Sequence, residues 1–239
     1  KVVFRFDERR GYVFTVADAA GKPLSKLSEE KDYWPPYQLP SWSPDGKRLA
    51  FGTRSPQIAV LDLATGKIAP ATKEERGAYD PQFLPDGRIA YRARREDETA
   101  KSHFSDIVIT DGTKSETVVK HVVIHGFAFS PDGAKVAYDE THEGGTLTVL
   151  DLKTGKTTKL AAEKNIGQNL HAHGGRDIRW RPDGKAIAVR FTFLGGRLST
   201  NGEAFELPGD REVFLLPLEG QPTHWRTPSG EPRLLYWRE

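Results

Sequence analysis

"SWSPDGKRLAFGTRSPQIAVLDLATGK", residues 41–67, decides the fold. It runs from a short apolar segment into a Ser-Pro-Asp-Gly turn, through two β-rich runs, and into a second turn at Thr65-Gly66-Lys67. Proline presets φ at the first turn position, aspartate caps its own backbone, and glycine accepts the positive φ of a tight reversal. The stretch is therefore a chain of hairpins.

The unit recurs. "SWSPDGKRLAF" (41–51) returns as "QFLPDGRIAY" (82–91), "AFSPDGAKVAY" (128–138) and "RWRPDGKAIAV" (179–189). The turn prolines Pro44, Pro85, Pro131 and Pro182 are spaced by 41, 46 and 51 residues, the period of a four-stranded propeller blade with variable loops. "KRLAF", "RIAY", "KVAY" and "AIAV" after each turn read as short strands buried on both faces, as happens where sheets stack on neighbouring sheets. A second turn completes the unit at "DLATGK" (62–67), "TDGTK" (110–114), "DLKTGK" (151–156) and "PLEGQ" (217–221), with a fifth copy, "DAAGK", at 18–22.

This pattern predicts an all-β chain, a β-propeller of four-stranded blades forming a single domain over 1–239. Five blades are expected, at 1–30 with 232–239, 37–75, 78–121, 122–163 and 175–227. The N-terminal copy has "VVFRF" (2–6), "YVFTV" (12–16) and "PLSKL" (23–27) but no Pro-Asp-Gly turn before them, so it lacks an innermost strand. "RLLYWRE" (233–239) is the expected donor of that strand, which would close the ring and remove two exposed sheet edges. The alternative is an incomplete six-bladed ring, with "TPSGEPRLLYW" aligned as a decayed Pro-Asp-Gly unit.

The Pro-Asp-Gly units followed by Asp-Leu-x-Thr-Gly-Lys resemble the WD-like repeats of TolB-type β-propellers over nearly the whole chain. That resemblance implies a binding platform: such propellers serve as periplasmic interaction proteins, as gating domains of oligopeptidases and occasionally as lyase scaffolds. The chain departs from TolB in showing no separate N-terminal α/β domain and in counting five blades where that family has six.

Composition narrows the function classes. Lys plus Arg (35) nearly balance Asp plus Glu (33), so the net charge of +2 favours neither nucleic acid nor an anionic membrane surface as partner. No apolar run is long enough to span a bilayer. The absence of cysteine excludes disulfides, thiolate nucleophiles and Cys-ligated zinc, and fits an oxidising or a reducing compartment. A start at Lys1 fits a processed mature chain or a trimmed one. Periplasmic or extracellular localisation is the expectation that goes with the resemblance.

Propeller geometry sorts the loops into two sets. The Pro-Asp-Gly and Thr-Gly-Lys turns fall on one face, where Asp45, Asp86, Asp132 and Asp183 read as turn formers only. The opposite face takes the irregular segments 31–37, 94–105, 139–145, 163–176 and 192–211, and extended loops on a rigid scaffold are the usual seat of function. Six residues before each turn proline stand Gln38, Tyr79, His125 and Arg176, polar where a packing position would be apolar. With His171, His173, Asp80 and Asp177 nearby they make a channel mouth suited to an anionic or peptide ligand, or one that is merely wet. Trp34, in the cluster Tyr33, Trp34 and Tyr37, either stacks on a ligand or packs on the core rim.

"HAH" at 171–173 carries the contrasting reading. In an extended segment alternate side chains share a face, so His171 and His173, with His125 or Asp177, form a candidate metal set for a lyase or hydrolase. The primary expectation has no cofactor and no metal, since two histidines in a glycine-rich loop are usually solvated. Arg92, Arg94 and Arg95 read as a solvated strand end beside Glu96, Asp97 and Glu98. No nucleophile elbow, phosphate-binding loop, dinucleotide fingerprint or His-Glu-x-x-His occurs. The leading expectation is a non-catalytic binding or scaffold propeller with a protein or peptide partner, and with it goes a place as a subunit of a larger assembly. A gating propeller cut from a multidomain peptidase is a further alternative.

Overall fold

The computed structural model describes residues 2–5, 14–17, 20, 22–26, 40–53, 55–95, 104–124, 126–139, 146–161, 170–171, 178–193, 197–200, 203–206, 212–221 and 223–226. All secondary structure among them is strand and turn. The chain packs as two compact units, Lys1–His121 and Val122–Glu239.

The first unit begins with β1 (Val2–Arg5), β2 (Phe14–Ala17) and β3 (Pro23–Lys26), antiparallel in the order β1-β2-β3. Two four-stranded meanders follow. One runs β4 (Ser41–Trp42), β5 (Arg48–Gly52), β6 (Ile58–Asp62), β7 (Ile68–Pro70). The other runs β8 (Ala78–Phe83), β9 (Ile89–Arg95), β10 (Phe104–Thr110), β11 (Ser115–Val122).

The second unit repeats the meander with β12 (Phe127–Phe129), β13 (Lys135–Asp139), β14 (Thr146–Asp151) and β15 (Thr157–Ala161). Then come β16 (Leu170–His171), β17 (Ile178–Trp180), β18 (Ala186–Phe193), the hairpin β19 (Arg197–Thr200) and β20 (Glu203–Glu206), β21 (Glu212–Pro217) and β22 (Thr223–Arg226). Here β17-β18-β21-β22 is the repeated meander, while β16 pairs with the far end of β18. The segment read as an irregular insertion at 192–211 thus contains a paired hairpin, Arg197–Thr200 against Glu203–Glu206. The Asn201-Gly202 pair between its strands was the available signal, since Asn-Gly favours a two-residue hairpin turn.

Each Pro-Asp-Gly turn joins the first strand of a meander to the second. The Gly46 N–H donates to the Ser43 carbonyl at 2.9 Å with Gly46 at φ +65°, and Gly87, Gly133 and Gly184 donate in the same way to Leu84, Ser130 and Arg181. Asp45 Oδ1 accepts the Lys47 N–H at 3.0 Å and the Ser43 hydroxyl at 2.6 Å, while the Ser43 Oγ accepts the Arg48 N–H at 2.8 Å. Asp132 and Ser130 repeat this arrangement, and Arg181 takes the serine's place beside Asp183. The four turn aspartates thus spend their carboxylates on the turns, as expected from the sequence.

The second turns are closed by Asp62, Asp111 and Asp151, each accepting a threonine N–H and the same threonine's hydroxyl at 2.7–2.9 Å. Both turns of a meander meet at one end of its sheet. The Leu63, Leu152 and Leu218 N–H groups donate to the carbonyls of Lys47, Ala134 and Lys185, each at 3.0 Å.

Sheet-on-sheet packing supplies the core. In the first unit Ala50 and Ile58 of one meander pack with Ala78, Phe83, Ile89, Tyr91, Ala93 and Val108 of the next, and the Ser41 Oγ accepts the Phe83 N–H at 2.8 Å. On the opposite face of β5 and β6, Leu49, Phe51, Ala59 and Leu61 form a separate apolar cluster. The strand after the turn is therefore buried on both faces, as its unbroken apolar run implies. In the second unit Ala128, Leu147, Val149, Ile178, Trp180 and Ile187 belong to one cluster, and the Trp180 Nε1–H donates to the Ala128 carbonyl at 2.9 Å.

Candidate functional site

Opposite the turns, the ends of the strands carry a set of charges held in place. The connection 71–77 is tied to the start of β6: the Thr72 hydroxyl accepts the Ile58 N–H at 2.9 Å and donates to Gln57 Oε1 at 2.8 Å. Gln57 Oε1 also accepts the Glu74 N–H, and the Gln57 side-chain amide donates to the Glu74 carbonyl. These bonds aim the Glu74 carboxylate at the neighbouring meander. There Glu74 accepts the Tyr91 hydroxyl at 2.7 Å and Arg95 Nη1 at 2.8 Å. Arg95 also donates through Nε to Asp106 at 2.8 Å, and Asp106 accepts the His121 N–H through its other oxygen. The His121 ring stacks on Phe104 at 4.0 Å, with the residue in the left-handed region at φ +53°.

Electrostatics follow from this geometry. Burial and then the Glu74 carboxylate push the Tyr91 hydroxyl well above its usual range, so it remains a neutral donor. Burial works against the Arg95 charge, but the hydrogen bonds it donates to Glu74 and Asp106 outweigh it and raise its affinity for the proton.

On β8 the backbone bulges between Tyr79 and Gln82, with Asp80 at φ +56°. Asp80 can occupy this region because a short polar side chain tolerates it better than most. The bulge brings the Asp80 carboxylate to 3.0 Å from Arg92 Nε, and the guanidinium lies over the Tyr79 ring at 5.3 Å. Gly77 makes room for that ring: a Cβ there would stand 2.7 Å from the Tyr79 hydroxyl oxygen. In the second unit, buried Asp139 accepts the Gly126 N–H at 2.7 Å at the corresponding strand end.

Of the residues expected at the channel mouth, Tyr79 and Asp80 have side chains whose settings are described, and both stand against Arg92. His171 is extended and pairs with Thr192 on β18. Trp34, Gln38, His125, His173, Arg176 and Asp177 lie outside the described residues, as do Tyr33, Tyr37 and the strand expected at 233–239. Among the described residues no three His, Asp or Glu side chains are grouped to hold a metal ion.

The reading of Arg92 and Arg95 as a solvated strand end is corrected. Both are half-buried and paired with Asp80, Glu74 and Asp106, which are distant in sequence, rather than with the adjacent acids at 96–98. Glu74 and Asp106 were not anticipated. Arginine alternating with Tyr91 and Ala93 on a buried strand was the available signal, since charges there require partners.

No protein-family model matches the chain. An uncharacterised WD repeat-containing protein of Synechocystis sp. is 25% identical over 176 residues, covering 72% of this chain and 46% of that protein. Among solved structures, oligogalacturonate lyase in complex with manganese is similar at a TM-score of 0.67 and 13% identity, over 94% of this chain and 62% of the lyase. TolB from Acinetobacter baumannii is similar at a TM-score of 0.57 and 15% identity, over 92% of this chain and 52% of TolB. The fold is therefore a β-propeller, with repeats that resemble those of the WD repeat-containing relative. The chain spans about half the length of the curated relative and of TolB. Among the described residues no helix is long and apolar enough to cross a membrane.

Proposed function

We propose that this chain is a non-catalytic binding propeller that engages a protein or peptide partner through the strand ends opposite its regular turns. The observation that carries this reading is the division of labour between the two ends. One end is built from repeated, self-satisfied turns, whereas the other holds unequal connections and oriented ionic groups, Glu74–Arg95–Asp106 and Asp80–Arg92. Rigid strands presenting non-repetitive, polar ends favour recognition, because little side-chain entropy remains to be lost on binding. The likeness to TolB supports a scaffold role as a subunit of a larger assembly and a periplasmic or extracellular location, which fractionation of the source cells would test.

Partner capture from an extract of the source cells tests the reading. Tyr79→Ala and Arg176→Ala should each weaken capture, while Lys67→Ala and Lys156→Ala at the turns leave it unchanged. Equal losses at both ends would contradict the assignment of faces.

The likeness to a manganese-bound lyase favours a second reading, a metal-assisted enzyme at His125, His171 and His173. Elemental analysis of untagged protein decides it: about one transition metal per chain surviving dialysis would support the enzyme.

A further inference from the structure

We propose that Arg92 is a carboxylate-recognition subsite, taking an aspartate or glutamate side chain of a protein partner; the proposal rests on the binding reading above and names the chemistry it would use. Arg92 is half-buried and held at two points. Its Nε donates to Asp80 at 3.0 Å, and its guanidinium carbon lies over the Tyr79 ring, 5.3 Å from the centroid. No described residue bonds its two terminal nitrogens. A guanidinium pinned through Nε and held over an aromatic ring presents its remaining edge as a fork, the geometry that binds a carboxylate bidentately. Two pairings already hold it still, so a ligand need not order it.

A second observation points to a ligand on the same face. In register, Tyr79 and Ile107 flank Arg92, and Ser105 stands opposite Arg94 one step along that face. Ser105 is 1% exposed, and its hydroxyl has no hydrogen-bond partner. A buried hydroxyl without a partner is costly unless an acceptor or donor arrives. A carboxylate seated on the Arg92 fork supplies acceptor oxygens on this face. The Tyr79 ring gives the subsite an apolar side suited to the methylene carbons of an acidic side chain.

The test is an NMR titration of the full chain, following the Arg92 Nε–H and Ser105 amide resonances. The probes are a blocked peptide with a central glutamate, the same peptide with glutamine, a neutral peptide ending in a free carboxylate, and inorganic phosphate. The glutamate peptide should shift both resonances saturably, at least tenfold more tightly than the glutamine peptide. Arg92→Lys, which keeps the charge and removes the fork, should weaken it about tenfold while melting at the same temperature as the parent. If Arg92→Lys lowers the melting temperature, the parent chain decides: its preference for the glutamate over the glutamine peptide should vanish as pH falls through the glutamate range near about 4.3, and a preference that persists below it would overturn the subsite. Equal binding of the glutamate and glutamine peptides, or unchanged binding by Arg92→Lys, would overturn the subsite and leave the binding propeller standing. Tighter binding of the free C-terminal carboxylate or of phosphate would overturn the assignment to an acidic side chain.

Discussion

The Leu63 N–H donates to the Lys47 carbonyl at 3.0 Å, which locks the turn between the third and fourth strands of a meander to the turn between its first and second. The same bond joins Leu152 to Ala134 and Leu218 to Lys185. Each of these three sheets therefore has one end that is hydrogen-bonded within itself, and the variable chemistry is left to the other.

The turn glycines should be sensitive for a conformational reason alone. Gly46 sits at φ +65° with open space around the position a Cβ would take. Gly46→Ala should therefore lower stability by about 1–2 kcal/mol, the cost of the left-handed region for an L-residue, without altering partner capture. Urea melts check it, and an unchanged midpoint would mean that the turn relaxes freely.

A buried side-chain bond offers a sharper test of sheet packing in the second unit. Trp180→Phe keeps an aromatic ring but leaves the Ala128 carbonyl without its donor, 52 residues away in sequence. Loss of one partner of a buried pair should cost about 1–3 kcal/mol. Thermal unfolding of the variant measures this.

The turn carboxylates set the acid limit. Asp111 is held down to about 2 from its ordinary 3.8, first by the Lys114 N–H and then by the Thr113 hydroxyl and N–H. Because the folded value lies below the unfolded one, its contribution is complete above the ordinary value and is lost as pH falls through the folded one. The melting-temperature gap between the parent and Asp111→Asn should be present at neutral pH and close under acid. A gap that persists in acid would contradict the charge-based account.

Much of this was legible beforehand because repetition amplifies local rules. Four copies of Pro-Asp-Gly with apolar runs behind them fix the turns, the doubly buried second strands and the fold class, since each copy obeys the same steric demand. The ionic groups were not legible, because their partners are set by stacking rather than by sequence distance. Glu74 meets Arg95 across two sheets, and Asp80 reaches Arg92 only through a bulge. Tyr79 was visible as a polar residue at a repeat position, but nothing local showed that Arg92 would lie over it.

The central claim, that the strand ends opposite the turns hold the partner, is tested most directly by site-specific photocrosslinking in the source cells. A photoreactive phenylalanine analogue is placed at Gln38 and Arg176, which the repeat spacing in the sequence assigns to the irregular side, and at Lys67 and Lys156 in the turns. The account predicts discrete protein adducts from Gln38 and Arg176 and none from Lys67 or Lys156. Adducts from the turn positions alone, or from none of the four, would contradict it.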